Sequence, residues 1–177
     1  MASFNIEFFS NALKRPVTFK MFIPNDKNNE WSPELKRDGK PIKTIFLIHG
    51  YTGGAENWIP GDLATTYNVA VVMPYGENGF WVDGIATGRR YGTYLTRELV
   101  NYVRNTFHLA MSKEDTFIMG YSMGGYGALR AALACPDTFG KVVALSSALI
   151  IHEIAGMKEG DTNPVANYEY YRDIVIG

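Results

Sequence analysis

The sequence contains few of the residue types that form disulfides or bind metals. Among 177 residues there are one cysteine, Cys135, and three histidines. A single cysteine excludes an internal disulfide and fits a reducing compartment, so we expect a cytoplasmic location. The cysteine and the histidines show no metal-ligand spacing. No metal and no other cofactor is therefore predicted.

Long apolar runs and an excess of one charge are also missing. No apolar run approaches the roughly 18 residues that a membrane span needs. The first residues lack a basic segment followed by an apolar stretch, so we expect no signal peptide. The net charge of -1 argues against the basic surface that binds nucleic acid or an anionic membrane. The composition, 46% hydrophobic, fits one soluble domain with a core.

Apolar runs alternate with helical patterns along the chain. A strand pair around a polar turn near Asn11 is predicted by FNIEFFS and RPVTFKMFIP. The runs typical of strands buried on both faces are KTIFLIHG, YNVAVVMPYG and DTFIMG, and KVVALSSALI predicts a further strand. Helices are predicted for YGTYLTRELVNYVRNTF and GGYGALRAALACP. The alternation predicts an α/β fold, with a mostly parallel sheet and helices on both faces.

The stretch FIMGYSMGGYGAL joins a predicted strand to a predicted helix through a glycine turn. It contains GYSMG, which matches G-x-S-x-G, a pattern whose serine stands on a strained bend between strand and helix. Gly120 and Gly124 remove the Cβ atoms that would collide where the two elements approach each other. The alternative is a structural serine in a glycine-rich turn. The strand–turn–helix context favours Ser122 as a nucleophile.

A nucleophilic serine needs hydrogen-bond donors for the negative charge that develops on the carbonyl oxygen. The backbone N–H of Met123, at the start of the helix, is one expected donor. The loop in FLIHGYTGG, where the chain turns at Gly50, is expected to supply the second, from the N–H of Tyr51. A plain glycine turn is the alternative interpretation of this loop.

These stretches resemble the esterase D-like branch of the α/β-hydrolases, which includes tributyrin esterases, S-formylglutathione hydrolases and feruloyl or acetylxylan esterases. The stretches in the family's order are FLIHGYTGGAENW, VVMPYGENGFWVD, YGTYLTRELVNYV and FIMGYSMGGYGALRAAL. The resemblance implies an α/β-hydrolase fold and a serine esterase acting on short-chain acyl esters. It implies that Ser122 attacks the ester carbonyl while Tyr51 and Met123 hold the oxyanion.

The acid and the base of a catalytic triad are not identified in the sequence. In the family they follow the serine on later strands, and only one further strand is predicted after Ser122. His49 and His108 are interpreted as structural. His152 follows the last predicted strand, at the same sheet edge as Ser122. We expect the acid and base beyond Gly177, in a chain lacking the last strands and helices of the fold.

The remaining predictions concern organisation and binding. A single α/β-hydrolase domain, incomplete at the C-terminus, is expected over 1–177, with 149–177 as an irregular insertion or lid-like segment. The family resemblance implies that Trp58 and Trp81 lie at the pocket rim, and Tyr121 and His152 are also predicted there. The expected partner is a small acyl ester, without nucleic acid or membrane, and self-association through the open sheet edge is a further hypothesis.

Three functions stay open at this point. The first is ester hydrolysis through an acyl-enzyme. The second is a catalytically impaired domain that acts only in binding, because the acid and base are missing. The third is thioester cleavage, as in S-formylglutathione hydrolases, or acyl transfer to a sugar, because no residue separates an oxygen from a sulfur leaving group.

Overall fold

One six-stranded sheet organises the molecule. The computed structural model describes residues 2–24, 41–56, 59 and 61–176. The strands are Ala2–Ser10 (β1), Arg15–Ile23 (β2), Lys43–Ile48 (β3), Val69–Pro74 (β4), Thr116–Tyr121 (β5) and Lys141–Leu145 (β6). Their order in the sheet is β1-β2-β4-β3-β5-β6. The β1–β2 and β2–β4 pairs are antiparallel, whereas β4, β3, β5 and β6 run parallel.

Helices of three to twelve residues lie between the strands and after the last one. They are Gly61–Thr66 (α1), Tyr91–Thr93 (α2), Val100–Phe107 (α3), Met123–Ala134 (α4), Ile151–Ile154 (α5) and Tyr168–Tyr170 (α6). A π-helical segment, Tyr94–Leu99, joins α2 to α3, so residues 91–107 form one continuous helical rod. A second π-helical segment, Tyr171–Ile176, follows α6. Between α3 and β5 lies a short 3-10 turn, Lys113–Asp115.

The sheet separates two cores, because alternate side chains of a strand point to opposite faces. In β3, Phe46 and Ile48 belong to the larger core, which also contains side chains of α3 and α4. Leu47 belongs to a smaller core with Ala64 of α1. On the α1 side, a hollow of about 430 Å³ is lined by the apolar side chains of Ile45, Ile59, Leu63, Ala64, Tyr67, Val69 and Met119.

The predicted fold class is confirmed. The β1–β2 strand pair turns at residues 11–14, the predicted strands are present, and helices cover both faces of a mostly parallel sheet. The π-helical stretch within the predicted helix was not expected. Within the described residues, no helix combines the length and apolarity needed to cross a bilayer. The single-domain division and the lid-like nature of 149–177 stay predictions.

Candidate active site

Ser122 lies at the bend between β5 and α4. Its φ angle of 52° is in the left-handed region, which is strained for any residue other than glycine. Its N–H donates to the carbonyl of Leu145 at 2.9 Å, and its carbonyl accepts from Tyr126 and Ala148 at 3.0 Å. In the described part of the chain nothing hydrogen-bonds to its hydroxyl. Hydrogen bonds thus fix the backbone of Ser122, whereas none holds its Oγ within the described residues.

The strained bend is possible because glycine lets the strand and the helix meet. A Cβ on Gly124 would lie 2.3 Å from the carbonyl oxygen of Ile48 and 2.6 Å from that of His49. A Cβ on Gly120 would lie 2.3 Å from the oxygen of Gly124. These contacts are far inside van der Waals range, so α4 begins directly against the end of β3. The loop after β3 is therefore a neighbour of Ser122.

The first turn of α4 presents unpaired backbone donors at this point. The first hydrogen bond of the helix runs from Tyr126 N–H to the Ser122 carbonyl, so the N–H of Met123 has no acceptor within the helix. None of the described residues outside the helix accepts from it. The positive end of a 12-residue helix lies here. The Met123 N–H is therefore available to donate a hydrogen bond to an oxyanion.

The loop after β3 holds the second predicted donor in a defined direction. The carbonyl of Gly50 accepts from Gly53 N–H at 3.0 Å and from His49 Nδ1 at 2.7 Å. That carbonyl and the Tyr51 N–H belong to the same trans peptide and point in opposite directions. The Tyr51 N–H is consequently directed away from the His49 ring, and among the described residues it has no acceptor.

His49 bridges this loop and the loop that follows β4. Its Nδ1–H donates to Gly50, while its Nε2 accepts from Gly76 N–H at 2.9 Å. The two bonds fix a neutral imidazole with the proton on Nδ1. Burial lowers the pKa of His49, although the Gly50 carbonyl and the charge of Glu56 act in the opposite direction. The predicted structural role of His49 agrees with these contacts.

The burial of His49 leads to a pH prediction. Below its ordinary pKa of 6.5 the unfolded chain takes up a proton that the folded protein resists, so we expect the free energy of unfolding to fall as pH decreases from about 6.5. Urea unfolding between pH 7.5 and 5.5 measures this slope. His49→Asn should flatten it, whereas the control His108→Gln, at an exposed position, should keep it. An unchanged slope in His49→Asn would contradict the assignment.

A half-buried ion-pair cluster anchors the loop after β4. Glu77 pairs with Arg15 at 2.5 Å and with Arg89 at 2.9 Å, and it accepts from the Tyr91 hydroxyl at 2.6 Å. Burial alone would raise the pKa of Glu77, but the hydrogen bonds and the two arginine charges lower it. Burial and the bond to Glu77 raise the pKa of Tyr91 to about 12. The two ion pairs and the hydrogen bond therefore anchor the loop after β4 through Glu77.

Aromatic side chains of residues 168–176, the C-terminal segment, pack over the loop after β3. This loop contains Tyr51 and is called the Tyr51 loop. The Tyr170 ring lies 6.2 Å from that of Tyr51 and 6.4 Å from that of Phe80, measured between centroids. Tyr171 also contacts Phe80 and is 1% exposed. The Tyr170 hydroxyl donates to the carbonyl of Asn78. Tyr170 thus lies beside the loop that contains the candidate Tyr51 donor, and Tyr171 packs next to it.

The predicted rim residues have different positions. Tyr121 is 40% exposed, and its ring covers Gly50. His152 is exposed on α5, and within the described residues it makes no hydrogen bond to Ser122. Trp81 is 1% exposed, so it lies beneath the site and not on its rim, and its Nε1–H donates to the His49 carbonyl at 3.1 Å. Trp58 lies outside the described residues.

Two contacts of the site were missed by sequence reasoning. The Asn78 side chain accepts from the Thr52 N–H at 2.8 Å, and Tyr170 reaches Asn78 from the C-terminal segment. Both join residues far apart in sequence, and neither has a local motif. In the described ranges, no group of three or more His, Cys, Asp or Glu side chains is placed to hold a metal.

Comparison with known families identifies the chain's relatives. The family model Esterase, described as "Putative esterase", matches residues 10–164. The chain belongs to the esterase family. The acetyl esterase of Caldicellulosiruptor saccharolyticus is 40% identical over 179 residues, covering 98% of this chain and 66% of that protein. The esterase-family chain thus spans just under two thirds of that relative.

Two solved structures have the same fold as this chain. The S-formylglutathione hydrolase of Staphylococcus aureus superposes with a TM-score of 0.70 at 27% identity, over 90% of this chain and 63% of that one. The fluorophosphonate-binding serine hydrolase F of the same organism superposes with a TM-score of 0.76 at 24% identity, over 99% and 66%. The resemblance stated from the sequence is confirmed.

Proposed function

We propose that the protein hydrolyses short-chain carboxylic esters through an acyl-enzyme on Ser122. The observation that carries the proposal is the strained bend between β5 and α4, the elbow, where Ser122 has a φ of 52° and an unpaired hydroxyl among the described residues. The 40% identity to an acetyl esterase supports an acetyl group as the preferred acyl group.

In the proposed reaction, Ser122 Oγ forms a bond to the ester carbonyl carbon and gives up its proton to a base. The π electrons of the carbonyl move to its oxygen, and the N–H groups of Tyr51 and Met123 stabilise that oxyanion. When the tetrahedral intermediate collapses, its C–O bond to the leaving group breaks, and the alkoxide takes the proton from the protonated base and leaves as the alcohol. Water then attacks the acyl-enzyme, releases the carboxylic acid and restores the serine.

A binding-only function is the second candidate, and one observation favours it. No imidazole contacts Ser122 among the described residues, and His152 is exposed on α5. Without a base, a serine hydroxyl is a weak nucleophile at neutral pH. For the proposed reaction to run, a base that is not among the described contacts of Ser122 has to take the proton from its hydroxyl.

A substrate panel distinguishes the proposals. The protein, as its gene encodes it, is assayed with p-nitrophenyl acetate, p-nitrophenyl butyrate, methyl ferulate and S-formylglutathione. The rings of Tyr51, Phe80 and Tyr170 pack together at the Tyr51 loop and leave less room for a large acyl group. We therefore expect kcat/KM to be about tenfold or more higher for p-nitrophenyl acetate than for methyl ferulate.

Two results would contradict ester hydrolysis. A preference for S-formylglutathione would assign the thioesterase function. Absence of turnover, together with absence of labelling by a fluorophosphonate, would assign the binding-only function.

We infer a cytoplasmic location from the single cysteine. Self-association through the edge strand β6 is supported by the exposure of Val142, Val143 and Leu145. We also propose that residues 1–177 belong to one α/β-hydrolase domain, in which residues 149–177 form a lid-like segment.

A further inference from the structure

We propose that Asn78 is a positioning residue that holds the Tyr51 loop in the conformation needed to bind an oxyanion. The proposal rests on the proposed function and adds to it a residue that makes no contact with the substrate. Asn78 lies on the loop after β4, and its side-chain oxygen accepts from the Thr52 N–H at 2.8 Å across 26 positions of sequence.

The contact acts on a strained part of the loop. Thr52 has a φ of 59°, which is unfavourable for a β-branched residue and therefore needs support from its surroundings. The Tyr51–Thr52 peptide is held at both ends, since its carbonyl accepts from Thr52 Oγ1 at 2.7 Å and its N–H donates to Asn78. Together with the bonds to the Gly50 carbonyl, these contacts fix the peptides on both sides of Tyr51.

Asn78 is itself held firmly enough to support the loop. The preceding residue, Glu77, belongs to the ion-pair cluster with Arg15 and Arg89. The Gly79 N–H donates back to Gly76 at 3.1 Å, which closes the turn around Asn78. Its carbonyl accepts from the Tyr170 hydroxyl. Asn78 thus connects the ion-pair cluster and the C-terminal segment to the Tyr51 loop.

Loss of the bond is expected to affect the chemical step more than binding. Thr52 would relax from its strained φ, and the Tyr51 N–H would turn away from the position of the oxyanion. A donor that stabilises only the transition state changes kcat and leaves KM nearly unchanged. One lost oxyanion donor typically lowers kcat by about 10²- to 10³-fold.

The test combines kinetics with hydrogen exchange. For Asn78→Leu, which keeps the side-chain size but not the acceptor, we expect kcat for p-nitrophenyl acetate to fall by about 10²-fold with KM within about twofold. The Thr52 amide should exchange with solvent about tenfold faster. Asn78→Asp, which retains an acceptor oxygen, should keep the Thr52 amide protected.

The controls separate this proposal from the proposed function. Asn105→Leu makes the same change at an exposed position of α3, and it should leave kcat and Thr52 exchange unchanged. Unchanged Thr52 exchange in Asn78→Leu would overturn the proposal, as would faster exchange with unchanged kcat in an active enzyme. Turnover that survives Ser122→Ala would overturn the proposed function, while Thr52 exchange would still decide whether Asn78 holds the loop.

Discussion

Replacing Ser122 by alanine is expected to abolish ester hydrolysis, with a fall in kcat of about 10⁶-fold. The hydroxyl is the only atom group lost, and it is the group that would form the acyl bond. Backbone contacts of Ser122 to Leu145, Tyr126 and Ala148 do not involve the side chain, so the fold should be retained. The loss would therefore report on chemistry and not on stability.

The measurement uses initial rates with p-nitrophenyl acetate and intact mass after incubation with a fluorophosphonate. The unmodified protein should gain one adduct, and Ser122→Ala should gain none. Ser146→Ala is the matched control, because Ser146 also follows a strand directly and has a positive φ of 43°. An adduct on Ser122→Ala, or a rate equal to that of the unmodified protein, would show that another residue is the nucleophile.

Gly124→Ala is expected to have the largest effect on stability. The added methyl group would lie 2.3 Å and 2.6 Å from two carbonyl oxygens at the end of β3. These are backbone atoms, so no side-chain rotation relieves the overlap and α4 has to move away from the sheet. Overpacking of a core typically costs 1–3 kcal/mol. With rigid backbone on both sides, we expect a loss of about 3 kcal/mol or more.

Urea unfolding at pH 7 measures this loss. The matched control is Gly156→Ala, since a Cβ at Gly156 would meet no atom within 4 Å, and its unfolding free energy should stay within about 0.5 kcal/mol of the unmodified value. Equal midpoints for Gly124→Ala and the unmodified protein would show that the elbow tolerates a side chain. The close approach of α4 and β3 would then not be required.

The elbow could be predicted from sequence because its requirements are local. A buried strand, two glycines and a helix stand next to one another around Ser122, and the structure has them as Thr116–Tyr121 and Met123–Ala134. The parallel strands were likewise visible, since strands buried on both faces are continuous apolar runs. The catalytic role of Ser122 stays a prediction until the variant is measured.

The position of Trp81 could not be predicted, because the space that it fills is created elsewhere. A Cβ on Gly76 would lie 2.4 Å from Trp81 Cη2, and one on Gly127 would lie 2.5 Å from Trp81 Cβ. Two distant glycines thus make room for the indole beneath the site. The hydrogen bond between Asn78 and Thr52 could not be predicted either, because only the folded sheet brings the loops after β3 and β4 together.

The division of the interior by the sheet has a consequence for sequence divergence. Along β3, Phe46 and Ile48 lie on the side of α4, whereas Leu47 lies on the side of α1. Substitutions on the α1 side can therefore accumulate without touching the packing beneath Ser122. Proteins that descend from one ancestral gene can therefore differ in the residues that line the hollow beside α1 and still share the packing beneath Ser122.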